Sequence, residues 1–159
     1  MGTEFQPRVK VSGITIDGES SRDLDDAISV SAQEDGILCQ VHITDVDAVV
    51  PKGSEVDRQA AQRLETVYRS QYNLPMLPRP LSEQQCSLLP GGERQTLSVS
   101  WTLARDGSLA VSPHLYLSQF TSEQRWTYPQ FDQALAEGDP HCQRAFCAIA
   151  ATRPPAFPV

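Results

Sequence analysis

Apolar and polar positions interleave along most of this chain at the spacing of strands that bury one face. "VSGITID" (11–17) is the first strand-like run. "AISVSAQ" (27–33) and "ILCQVHITDV" (37–46) lie on either side of Glu34, Asp35 and Gly36, which predicts a hairpin with a glycine-containing turn. A second hairpin is predicted for "TLSVSWTLARDGSLAVSPHLYLS" (96–118), which alternates on both sides of Asp106 and Gly107. Helical spacing replaces this pattern in "PKGSEVDRQAAQRLETVY" (51–68), where Val56, Ala60, Leu64 and Val67 share one face. Ser54 is placed to cap that helix, with Asp57 bonding back as Glu or Gln would in a capping box. "TYPQFDQALAEG" (127–138) reads as a short helix with Thr127 as cap, Pro129 in the first turn and Gly138 at the end. Between these elements, Pro75, Pro78, Pro80 and Pro90 forbid a long regular element in "YNLPMLPRPLSEQQCSLLPGG" (72–92) and predict an ordered or extended connection. The expected class is α+β: a mixed, largely antiparallel sheet with helices.

Composition narrows the picture. With 159 residues, 40% of them apolar, the chain is long enough to bury one core. A formal net charge of -7, only two lysines (Lys10 and Lys52) and scattered arginines exclude a basic surface that would hold nucleic acid or anionic membrane by bulk attraction. No apolar run approaches the ~20 residues of a membrane helix. Cys39, Cys86, Cys142 and Cys147 form no C-x-x-C pair and follow no secretory signal, so they are expected to be reduced thiols of a cytoplasmic protein. The opening "MGTEF" (1–5) reads as a vector remnant, and "ATRPPAFPV" as a frayed end or a chain cut within a larger fold.

One stretch carries candidate chemistry. Asp17, Glu19, Asp23, Asp25 and Asp26 fall within ten residues, with only Arg22 to balance them. Like charges that close repel unless a cation binds them or water screens each one. A calcium-binding helix-loop-helix starting at Asp17 would need glycine at its sixth position and glutamate at its twelfth; Arg22 and Ile28 stand there. Two readings remain: a solvated acidic turn, or a site for a hard cation. In extended backbone Asp23 and Asp25 would share one face and Asp26 the other, whereas a loop can converge all four aspartates. Carboxylate oxygens with few nitrogen ligands suit Mg²⁺ or Mn²⁺, which often bridge to a substrate phosphate. Phosphoryl chemistry is the natural use of such a group, with one ion or a pair ~3.5–4 Å apart.

"ITIDGESSRDLDDAISV" resembles the signature of the RNB catalytic domain of the ribonuclease II and ribonuclease R family. The likeness continues in order through "VHITDVDAVVPKGSEVDRQAAQR", "TVY", "LPMLPRPLSEQQCSLLPG", "ER-x-x-LSVSWTL" and, more weakly, "WTYPQFDQAL", over roughly residues 11–137. The resemblance implies Mg²⁺-dependent hydrolysis of RNA from a single-stranded 3′ end, releasing nucleoside 5′-monophosphates. It further implies that Asp17 and Asp26 are metal ligands, that Asp23 supports the metal site, and that catalysis depends most on Asp25. Tyr68 stands in a block where the family places an RNA-contacting aromatic; Arg69 and Ser70 depart from that block, and a core tyrosine ending the helix is the competing reading. His42 is expected to be a packed strand residue, Asp45 and Asp47 to rim the cleft or cap a turn, Cys86 to be structural, and Trp101 and Trp126 to be core.

The likeness also predicts what is missing. On that reading residues 6–159 form part of an RNB domain, without the flanking small β-barrel modules and without the later arginine-rich block that balances charge on the phosphate. Two functions follow as expectations. One is a 3′–5′ exoribonuclease whose activity as an isolated chain is in doubt, or which works with a missing half or a larger complex. The other is a non-catalytic descendant that binds RNA or protein.

Overall fold

The computed structural model describes residues 7–140 and 142–145. Among these residues there are seven strands: β1 (Val9–Asp17), β2 (Asp26–Gln33), β3 (Gly36–Thr44), β4 (Val67–Tyr68), β5 (Asn73–Leu74), β6 (Glu93–Ala104) and β7 (Leu109–Thr127). Among the described residues they are accompanied by α1 (Glu55–Arg63), between β3 and β4, and α2 (Tyr128–Ala136), after β7, and residues 140 and 142–145 are also helical. The expected vector remnant, Cys147 and the tail 151–159 lie outside the described residues.

Strands β1, β2, β3, β6 and β7 form a closed barrel in that order, while β4 and β5 form a separate two-stranded sheet. The α+β expectation therefore holds, and the sheet is mixed as predicted. All barrel pairings are antiparallel except β1 with β7, which run parallel from Val9 opposite Ser118 to Asp17 opposite Thr127. Between β1 and β2 the ladder is confined to Ile14 opposite Ile28. Both predicted hairpins form. In the first, Gly36 is not a left-handed turn residue; it is the first residue of β3, and a Cβ there would stand 2.0 Å from the Leu103 carbonyl oxygen of β6. In the second, Gly107 has φ +82° and Asp106 accepts hydrogen bonds from the backbone N–H and the hydroxyl of Ser108. Pro113 sits where the β6–β7 register shifts, a position at which a missing N–H costs no ladder bond.

The core has two parts, separated by the pleat. Ile14, Val30, Cys39 and Leu103 pack with Phe131 of α2 and with Cys142 and Ala145. Trp101 and Trp126 lean on the same cluster, and the Trp126 ring meets Phe131 edge-on at 6.2 Å, so both tryptophans are core residues as predicted. The second cluster joins Leu24, Ala27, Leu88 and Phe120. Beside Phe120 runs a buried ladder of polar side chains. His42 bonds Ser98 through Nδ1 (2.7 Å) and Ser29 through Nε2 (2.9 Å), and Ser98 and Thr96 both bond Ser118. His42, Thr96, Ser98 and Ser118 have no solvent exposure. His42 is thus a packed strand residue, and burial lowers its pKa from 6.5 to about 4.

Helix α2 has the predicted cap at Thr127, with Pro129 in its first turn and Gly138 just beyond its end at φ +84°, and Gln130, not read from the sequence, bonds back to complete a reciprocal capping box. Helix α1 departs from expectation at both ends. The Ser54 hydroxyl accepts from Asp57 N as predicted, but the Asp57 carboxylate bonds back to Gly53 N, one residue before the cap. Its other end comes early: Leu64 adopts φ +70°, and Val67, expected on the helical face, belongs to β4. No α1 side chain is buried.

A carboxylate rim at the mouth of the barrel

Asp17 is the last residue of β1 and Asp26 the first of β2; Asp23 and Asp25 lie on the loop between them. Leu24 explains how the loop turns its acids outward. Its side chain is fully buried with Leu88 and Phe120, so its neighbours on either side must point away from the core. Backbone bonds fix it there: Leu24 N donates to Ser87 Oγ (3.0 Å), Leu88 N to the Leu24 carbonyl (2.9 Å), and Ser87 Oγ to the Arg22 carbonyl (2.7 Å). Thr44 N then donates to the Asp25 carbonyl (3.0 Å), tying the loop to the end of β3. The first half of the loop is held by Arg125 of β7, whose Nη2 donates to the carbonyls of Gly18, Glu19 and Ser21 at 3.1, 3.1 and 2.8 Å.

Four predicted aspartates therefore meet in one electrostatic neighbourhood. Asp17 has its pKa raised by partial burial and then by the charge of Asp26, against the lowering pull of Arg125. Asp25 is raised by loss of hydration and then by Asp23, Asp26 and Asp17 in turn. A hard cation would relieve both the lost hydration and the mutual repulsion of these carboxylates, and the donor set, all carboxylate oxygen, fits Mg²⁺ or Mn²⁺ in kind. Among the described residues, however, no three carboxylate, thiol or imidazole groups already stand in ligand geometry around one point. Tyr68 accounts for one side chain's engagement: its hydroxyl donates to Asp23 Oδ2 at 2.8 Å, and that bond, more than burial, pushes the phenol up to about 12.

Tyr68 is exposed and stands on β4 between two cavities. One, of about 400 Å³, is polar, with Asp17, Arg22, Asp23, Asn73, Arg79 and Glu83 among its walls. The other, of about 440 Å³, sets Asp23 and Asp25 against Ile43, Val46, Leu64, Met76 and Leu77. Asp23, Thr66, Tyr68 and Ser82 line both. The core-tyrosine reading is overturned: α1 ends too early to carry Tyr68 inward. Asp45 lines neither cavity and caps nothing with its side chain; it is ion-paired to Arg8, and Asp47 is exposed. Cys86 is buried and holds Thr44 through its carbonyl, the structural role expected of it.

Several residues of this site carry no signal in the sequence. Arg125 lies about a hundred positions from the loop it holds, and Ser87, Asn73 and Arg79 belong to the proline-rich connection, in which no site residue is predicted. A cluster of acids at the junction of two barrel strands, beside an exposed aromatic and two cavities that share part of their lining, makes up the candidate functional site. The chain belongs to the RNB domain family, whose model matches residues 9–150. It is 42% identical over 114 residues to exoribonuclease 2 of Aeromonas hydrophila, covering 72% of this chain and 17% of that protein. It is also 41% identical over 125 residues to ribonuclease R of Thermotoga maritima, covering 78% and 18%. The fold superposes on RNase R of Mycoplasma genitalium, solved with double-stranded RNA, at a TM-score of 0.78 and 29% identity, over 91% of this chain and 26% of that one. Yeast Ssd1, described as a pseudonuclease, shares the fold at a TM-score of 0.78 and 24% identity, over 93% of this chain and 19% of that one. The chain thus spans under a fifth of the length of these two curated relatives.

Proposed function

We propose that this chain supplies the acidic half of a 3′–5′ exoribonuclease site that hydrolyses RNA phosphodiesters from a single-stranded 3′ end to nucleoside 5′-monophosphates. The observation that carries the reading is the loop 18–25, which is anchored by Leu24 and delivers Asp17, Asp23, Asp25 and Asp26 to one rim beside Tyr68. Membership in the RNB family supports the substrate class. Asp17 and Asp26 would hold Mg²⁺, or Mn²⁺ in its place, with Asp23 in support; when bound, such an ion would supply positive charge where negative charge builds on the phosphodiester. Asp25 orients the attacking water and accepts its proton, a role that suits a carboxylate whose proton affinity is raised. The water oxygen bonds to phosphorus, the bond from phosphorus to O3′ breaks, and the shortened RNA leaves with a free 3′-hydroxyl once that oxygen takes a proton from solvent. The Tyr68 ring offers a face for the terminal base. The buried thiols of Cys39, Cys86 and Cys142, none of them disulfide-bonded, suit a reducing cytoplasmic setting.

The test is release of mononucleotides from a labelled oligoribonucleotide with Mg²⁺ and with EDTA. The expected result is cleavage by the native sequence that EDTA abolishes and that Asp25→Asn lowers by at least ~100-fold. Equal cleavage by both proteins removes the assignment. A second reading, a non-catalytic RNA- or protein-binding module, is favoured by the absence of a ready three-ligand group among the described residues and by the engagement of Asp23 with Tyr68. RNA binding without Mg²⁺-dependent mononucleotide release is its signature.

A further inference from the structure

We infer that Arg125 is the positioning residue of the carboxylate rim: its guanidinium sets the arc of residues 18–21, and through that arc the approach of Asp23 to Asp17. The inference rests on the reading of those aspartates as a cation site. Arg125 lies opposite Thr15 in the parallel β1–β7 ladder, so its backbone is fixed two residues from the end of β1. From there one nitrogen, Nη2, reaches three carbonyls of the turn that leaves β1, at Gly18, Glu19 and Ser21. Ser21 N closes the same turn onto the Gly18 carbonyl at 3.1 Å. Beyond Ser21 the chain is held by Ser87 and Leu88, so Arg125 governs the half of the loop that the core anchor at Leu24 does not. The Arg125 Nε–H is buried with no acceptor, which means that the residue is used through its terminal nitrogen alone.

Charge and position make opposite predictions here, and this separates them. Arg125 is the cation that acts on Asp17, so as a mere charge it opposes a metal ion, and its removal should tighten metal binding. As a positioning residue its removal should weaken binding, by the ~10–100-fold typical when a group that orients metal ligands is lost. A lysine can replace it in part, because an ammonium has three donors to offer the same three carbonyls and leaves no orphaned Nε–H.

The experiment uses Mn²⁺ alone, its affinity read from water-proton relaxation, together with amide hydrogen exchange in metal-free buffer. Native protein, Arg125→Gln and Arg125→Lys are compared, with Asp17→Asn as the loss-of-ligand control. The expected result is a dissociation constant raised ~10–100-fold in Arg125→Gln and changed by less than about threefold in Arg125→Lys, with the Ser21 amide losing protection only in the glutamine variant. Equal or tighter Mn²⁺ binding by Arg125→Gln overturns the proposal. If that variant does not fold, Arg125→Lys decides: a dissociation constant raised more than about tenfold overturns it. Failure of the native chain to bind Mn²⁺ overturns the cation-site reading itself; unchanged exchange at Ser21 in Arg125→Gln then overturns the role of Arg125 as well, and selective loss of protection there upholds it.

Discussion

Acidification should weaken this barrel through His42, and by an amount the structure sets. The imidazole has no solvent exposure, and its two nitrogens are engaged by Ser98 and Ser29 hydroxyls that can serve a neutral ring but cannot hydrate an imidazolium. Its pKa in the folded chain is about 4, against 6.5 when exposed. Above pH 6.5 both states bind no proton and the residue contributes no pH dependence. As pH falls from 6.5 towards 4 the unfolded chain takes up a proton that the folded chain refuses, so stability falls. That gap corresponds to about 3 kcal/mol in full and about 2 kcal/mol already at pH 5. Either is a large part of the 5–15 kcal/mol that a domain typically has.

Urea unfolding followed by the fluorescence of Trp101 and Trp126, at pH 7.5, 6 and 5, measures the effect. Asp17 and Asp25 work in the opposite direction: their pKa values are raised above 3.8, so the stability linked to their protonation is present at low pH and lost as pH rises through the raised values. The difference between the native sequence and His42→Gln cancels them, because the glutamine amide can still bond a serine hydroxyl but does not titrate. The native sequence should lose about 2 kcal/mol more than His42→Gln between pH 7.5 and pH 5. Parallel stability curves for the two proteins, or an imidazole in the folded chain that titrates near 6.5 by NMR, refute the reasoning.

Three further outcomes follow. Saturating Mg²⁺, at ~100 times its dissociation constant, should stabilise the chain by about 2.7 kcal/mol, a rise in melting temperature of roughly 5–10 °C in differential scanning fluorimetry; no shift with Mg²⁺ or Mn²⁺ refutes the cation site. Asp25→Asn should raise stability in metal-free buffer at pH 7, because burial and then repulsion by Asp23, Asp26 and Asp17 disfavour the ionised carboxylate, and should gain less from Mg²⁺ than the native sequence; calorimetry with and without EDTA separates the two. Gly36→Ala should destabilise the barrel by about 1–3 kcal/mol or more, since a Cβ there collides with the Leu103 carbonyl, and a chemical denaturation midpoint unchanged from native refutes that close approach.

What could be read from the sequence was what local chemistry decides. The cap at Thr127, Pro129 and Gly138 fixed α2 to within a residue, because each acts on the backbone beside it. Alternation located β2, β3 and β6, each of which has buried positions, and β7 as far as residue 118, although residues 109–115 of β7 are exposed on both faces. Closure of the barrel was not legible: β1 pairs with β7 across more than a hundred residues, and parallel partners leave no mark in either strand. The end of α1 was misplaced because Leu64, neither glycine nor asparagine, takes the left-handed conformation that stops it. That one residue decided the fate of Tyr68, which a helix running on to 68 would have turned inward and which β4 instead leaves in the open against Asp23.

The acids and the means of holding them have different origins in the chain, and this is why the site was only half visible. Asp-x5-Asp-x-Asp-Asp shows a clustering of charge, but charge alone is compatible with a solvated turn. Leu24 makes the difference: an apolar side chain between Asp23 and Asp25, buried to zero exposure, commits the backbone on both sides and denies the two carboxylates the freedom to separate. A turn that merely faced water would not need it, nor three carbonyls gathered on one guanidinium. The loop is therefore built to keep like charges together against their repulsion, and the binding of a divalent cation is the event that would make such an arrangement favourable.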